Sequence, residues 1–78
     1  LMLPEYRDLI AELRQSDKHF ARLFDEHNEL DHEILRLEGD PATAVSARSE
    51  IEQKKKAKLA KKDEIFQYIK KIEAERKG

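Results

Sequence analysis

The chain has 78 residues, 42% of them charged and 6% aromatic, with two glycines and two prolines. That bounds it to one small domain and suits long helices better than a sheet. The net charge is -1 and there is no cysteine, which excludes a disulfide framework, a thiol nucleophile and a zinc–cysteine site.

No apolar run approaches the roughly 20 residues of a membrane span. The start lacks the basic-then-apolar pattern of a signal peptide, and the absence of cysteine fits the cytoplasm. Leu1 ahead of Met2 reads as an addition before a native start at Met2. The small net charge hides an asymmetry: residues 1–40 hold eleven acids and five bases, residues 41–78 six acids and eleven bases. An acidic half followed by a basic half is what two antiparallel helices would want.

Pro4 suits a first helical position, where its missing N–H costs nothing. Glu5 and Asp8 follow in the first turns, which the helix dipole favours. From Tyr6 to Leu37 the residues fall into a heptad. Positions a are Tyr6, Leu13, Phe20, His27 and Ile34, and positions d are Leu9, Ser16, Leu23, Leu30 and Leu37. A period of 3.5 held over that length predicts one long helix, about 4–38, with a single apolar stripe. Ile10 and Phe24 at e widen it toward a bundle face. Ser16-Asp17 interrupts the stripe. Both residues compete for backbone hydrogen bonds and prefer caps, so the segment is either a polar layer in a continuous helix or a kink with a new cap. The unbroken phase on both sides favours continuity.

Gly39-Asp40-Pro41 predicts a tight connection at 39–41. Gly39 would end the first helix in the left-handed conformation, and Asp40 would cap a second helix that Pro41 opens. So short a link makes the helices antiparallel. The second helix, about 42–76, has its apolar residues at Val45, Ile51, Leu59, Ile65, Phe66, Tyr68, Ile69 and Ile72. Folding the hairpin about Asp40-Pro41 sets Leu37 against Val45, Leu23 against Leu59, Leu13 against Ile69 and Ile10 against Ile72. It also sets His27 against Lys55 and Phe20 against Lys62. The expected class is all-α: an antiparallel two-helix hairpin, able to pair into a four-helix bundle.

The residues that carry this pattern resemble the YdcH-like family of small bacterial proteins. The resemblance rests on Leu3-Pro4-Glu5-Tyr6-Arg7-Asp8-Leu9-Ile10, on Leu23-Phe24-Asp25 and on His27-Asn28-Glu29-Leu30-Asp31 with Ile34. It continues through Glu38-Gly39-Asp40-Pro41-Ala42-Thr43 and Lys62-Asp63-Glu64-Ile65. It implies a helical hairpin from a bacterial cytoplasm and brings no catalytic residue, cofactor or partner.

Several constellations bear on function. Glu29-x-x-His32 has the spacing of di-iron carboxylate bundles, with Glu50 and Glu52 near the same level. Its heptad positions, c and f, face outward, so no metal site is expected. Lys54, Lys55, Lys56, Lys58, Lys61 and Lys62 form a basic stripe that could hold the phosphates of nucleic acid, which makes a nucleic-acid-associated protein the alternative function, but no aromatics interleave to stack on bases. No nucleophile–base arrangement or glycine-rich phosphate loop is present, so neither enzymatic activity nor a cofactor is expected. His27, polar in an apolar seam, reads first as a structural histidine half-buried at the mixed centre of the hairpin beside Lys55, ahead of a role in setting register or as a switch. The expected function is a small protein-interaction or scaffold module whose surplus apolar stripe, centred on Phe20, Leu23, Phe24, His27 and Leu30, docks a second copy or another protein's helix. The motive is a mismatch in supply: fourteen large apolar side chains in residues 1–40 against eight in residues 41–78.

Overall fold

A computed structural model describes residues 4–77. The reading of Met2 as the native start lies outside the described residues. A 3-10 turn, Pro4–Tyr6, leads into α1 (Arg7–Ser16), α2 (Lys18–Glu38), α3 (Pro41–Ser46) and α4 (Arg48–Lys77). The described residues are all-α, and α2 lies along α4 as the long pair of the hairpin. The molecule is elongated, 51 × 21 × 18 Å.

The long first helix expected from the heptad is broken at Asp17. Its backbone is extended (φ -126°, ψ 106°), and its carboxylate caps α2 by accepting from the Phe20 amide at 3.1 Å. The break is a reversal of direction. The Arg14 guanidinium lies 4.4 Å from the centre of the Phe24 ring, whereas a straight helix would separate residues 14 and 24 by about 15 Å along its axis. Tyr6 packs edge-on against Phe66 of α4, ring centres 6.4 Å apart. α1 therefore turns back over the open end of the hairpin and lays Ile10 and Leu13 on Phe20, Phe24, Ile65 and Ile69.

At the other end Gly39 stays in the right-handed helical region (φ -70°, ψ -19°) and its amide still donates to Leu35 at 2.9 Å. The left-handed ending expected of it does not occur. Asp40, extended at φ -106° and ψ 117°, makes the bend instead, and its carboxylate accepts from the Ala42 amide and the Thr43 hydroxyl. Pro41 opens α3 as its first residue. α3 ends at Ala47, where the backbone leaves helical geometry for one residue before α4 begins.

The core is in two parts. The larger, at the open end, joins Ile10, Leu13, Phe20, Leu23, Phe24, Ile65 and Ile69. The smaller, at the turn end, joins Ile34, Leu37 and Ile51, with Ala47 against it. Phe20, Ile65 and Ile69 are fully buried. Full burial of each is worth about 1.5–3 kcal/mol, so the open end is the stability centre.

Pairing between α2 and α4 departs from a fold about Asp40-Pro41. Glu33 meets Lys54 and Glu26 meets Lys61, where that fold would oppose Ser49 and Lys56. The shift is about five residues, roughly one and a half helical turns. The cause is α3, which spends six residues on the connection. Val45 and Leu59, expected to pack on Leu37 and Leu23, are consequently outside the core, 79% and 66% exposed.

Candidate interaction surface

α4 runs for 30 residues, yet only Ile51, Ile65 and Ile69 in it are buried. Ile51, Lys58, Ile65 and Ile72 recur at seven, and Lys54, Lys61 and Tyr68 fall between them at the other seam spacing. The middle of the seam is therefore lysine. Lys54, Lys58 and Lys61 are half-buried along the pair. Each reaches a carboxylate of α2: Lys54 to Glu33, Lys58 to Asp31 at 2.8 Å and Lys61 to Glu26 at 3.0 Å. Lys55 adds Glu38 at 2.8 Å. The aliphatic stems cover apolar surface while the ammonium groups stay at its edge.

The electrostatics follow from these contacts. Hydrogen bonding by Lys54 holds the Glu33 carboxyl below its ordinary range, and Lys58 does the same for Asp31. Glu33 raises Lys54 in return, and Glu26 raises Lys61. At the open end, the Tyr68 hydroxyl donates to Asp17. That bond, and after it the Phe20 amide, lowers the Asp17 carboxyl, and the bond to Asp17 raises the Tyr68 phenol. Arg76 closes the open end against Glu12 and lowers its carboxyl.

Of the residues expected to form a docking stripe, Phe20, Leu23, Phe24 and His27 are buried within the chain itself, and Leu30 is half-buried. The surplus apolar surface of the first helix is covered by its own N-terminal piece. Of the six lysines of the basic stripe, four are paired with acids of α2. Among the described residues Lys56 and Lys62 have no carboxylate within 4.0 Å. Glu29, His32, Glu50 and Glu52 are all exposed.

Among the concavities between the two long helices, one at mid-height carries an exposed apolar residue. It is an open groove of about 590 Å³, walled by His27, Asn28 and Asp31 of α2 and by Lys55, Leu59 and Lys62 of α4. The His27 ring is buried and its Nδ1 lies 3.4 Å from the Asn28 side-chain oxygen. Leu59 is the exposed apolar residue of this face. Phe66 continues the face, half-buried, with the Lys70 ammonium 5.7 Å from its ring centre. Lys55, Leu59, Lys62 and Phe66 are spaced four, three and four, so they form one stripe of a helix. Such a stripe can seat an amphipathic segment: apolar contact at Leu59 and Phe66, charge at Lys55 and Lys62. Sequence reasoning assigned Leu59 to the core and so missed this face. The heptad through Ile51 and Ile65 is the signal that finds it, because it sets Leu59 one residue past a seam position.

A family profile described as protein of unknown function (DUF465) matches residues 20–69, the hairpin from Phe20 to Ile69. The chain is 47% identical over 68 residues to the uncharacterized protein YdcH of Escherichia coli strain K12, covering 87% of this chain and 89% of that protein. The uncharacterized protein YdcH of Shigella flexneri matches to the same extent. No solved structure shows significant similarity.

Proposed function

This chain belongs to the DUF465 family of proteins of unknown function, and from that premise we propose that it is a small, non-enzymatic interaction module of the bacterial cytoplasm. It works by presenting one rigid face of a helix pair to a helical partner. The face is the groove around Leu59. The observation that carries the reading is the 66% exposure of Leu59 between Lys55 and Lys62. An exposed leucine flanked by lysines on a helix is poorly used by folding and well suited to an amphipathic helix carrying acidic residues. The lysine ladder supports the same reading, since ion pairs along the seam hold α2 and α4 in one register and keep the face rigid.

Lys56 and Lys62, with no acidic neighbour within 4.0 Å among the described residues, favour a second reading in which the basic stripe holds nucleic acid. Electrophoretic mobility shift with duplex DNA and RNA across salt separates the two. Binding that falls steeply with salt and is lost in Lys56→Gln/Lys62→Gln supports nucleic acid. For the interaction reading, immobilised wild-type protein is compared with Leu59→Glu in nuclease-treated bacterial lysate. A protein retained by the wild type and lost by the variant, with helix content unchanged, is the expected result. Equal retention by both, or loss of retention on nuclease treatment, refutes it.

A further inference from the structure

Only one residue separates α1 from α2, and on either side of it the helical hydrogen bonding runs on. The Asp17 amide donates to Leu13 and the Ala21 amide to Asp17, both at 2.9 Å. The first three amides of α2, those of Lys18, His19 and Phe20, have no backbone partner; Phe20 is served by the Asp17 carboxylate. Rotation at Asp17 alone would let these amides bond Arg14, Gln15 and Ser16 and make one helix from Arg7 to Glu38. The heptad Tyr6, Leu9, Leu13, Ser16, Phe20, Leu23 passes through the break without losing phase. The sequence is thus written for a continuous helix as well as for a broken one. At the break itself two contacts of a single carboxylate act, the cap and the Tyr68 hydroxyl.

Straightening would lift Ile10 and Leu13 off Phe20, Phe24, Ile65 and Ile69 and open an apolar site whose complement is known, because α1 of this chain fills it. A second copy carries the same segment.

From this we infer that Asp17 is a hinge for domain swapping: α1 of one copy, continuous with its α2, covers the Phe20–Phe24–Ile65–Ile69 site of a second copy, and the second copy returns the exchange. The contacts within the site are the same in both states, so the balance rests on the hinge and on concentration. The stripe of Phe20, Leu23 and Phe24 then lies at an interface between copies without being exposed in the closed monomer. Of the face around Leu59 only Phe66 is touched, by Tyr6, and Leu59 takes no part, so the Leu59→Glu test of the proposed function and this inference stand or fall separately.

The chain has no cysteine, which allows a clean test. Tyr6 and Phe66 are in contact. A Tyr6→Cys chain is mixed with a size-tagged Phe66→Cys chain, incubated at high concentration and treated with a short bismaleimide. Swapping gives the crosslinked heterodimer in excess over either homodimer. Asp17→Ala, which removes the cap and the Tyr68 contact together, increases that product and lowers the concentration for dimer formation by roughly tenfold or more in light scattering. Tyr68→Phe keeps the cap and moves both readouts in the same direction by less, and it decides the matter if Asp17→Ala fails to fold. A mass constant near 9.2 kDa in the folded variants overturns the inference. So does a dimer without the mixed crosslink, which would place the interface elsewhere.

Discussion

Truncating Ile65 and Leu59 to alanine, one at a time, tests the register of the hairpin. Both are large aliphatic residues of α4, six positions apart, and a fold about Asp40-Pro41 places Leu59 against Leu23. In the structure Ile65 is 0% exposed and Leu59 66%. Removing a buried isoleucine forfeits its transfer free energy and leaves a cavity, about 2–5 kcal/mol together. An exposed substitution away from caps and cores stays within about 0.5 kcal/mol. A domain of this size holds roughly 4–12 kcal/mol, so Ile65→Ala removes about a sixth of the total at the least and all of it at the most. With a urea slope of about 1 kcal/mol/M, its midpoint, followed by circular dichroism at 222 nm, falls by roughly 2 M or the chain is unfolded in buffer. Ile65→Val, at about 0.5–1.5 kcal/mol, keeps the measurement in range. Leu59→Ala moves the midpoint by no more than about 0.5 M. A large loss at Leu59 with a small one at Ile65, at unchanged slope and low protein concentration, would refute the register.

Asp40→Ala should cost about 1 kcal/mol in the same assay, since its carboxylate caps α3, and no loss would move the cap to another side chain. Arg14→Ala should cost about 0.5–1 kcal/mol through its lost contact with the Phe24 ring, and Arg14→Lys should recover part of it. Glu12, Asp17, Asp31 and Glu33 all have carboxyl groups held below their ordinary range. Their contribution is therefore complete above the ordinary carboxylate range and is lost as pH falls through the lowered values. Melting temperature should be flat from pH 7 to about 5 and decline below about 4; a rise on acidification would reverse the assigned directions. Lys61→Leu should leave the melting temperature nearly unchanged, because the Lys61–Glu26 pair is partly solvated and Glu26 keeps its water when its partner is removed; a loss of many degrees would show the pair to be a main prop of the seam.

Much of the fold was legible in the residues. The 3.5 period from Tyr6 to Leu37 specifies a helix and its inward face, and the charge asymmetry specifies an antiparallel mate. Asp40 and Pro41 specify a start for the next helix, which the structure shows at Pro41. These are local properties: spacing, capping chemistry and the fixed φ of proline act over a few residues and need no knowledge of the rest. Ser16-Asp17 was legible only as an ambiguity. A cap and a heptad each give a valid local answer there, and they disagree.

Tertiary packing settled what local rules left open. Breaking at Asp17 costs the helix a few backbone hydrogen bonds, and it lets Ile10 and Leu13 cover Phe20 and Phe24, which α4 by itself leaves short of apolar partners. The register along α4 was likewise decided by burial. Ile51 and Ile65 cannot both reach the seam unless Leu59 faces outward, and α3 supplies the extra length that lets them. The candidate surface follows from that choice, for Leu59 is exposed only because two isoleucines at heptad spacing outcompete it for the interior. Period, cap and charge sign belong to the sequence by itself. The choice among apolar residues that each could have been buried belongs to the tertiary structure, because only close packing across the pair has room for one set of them.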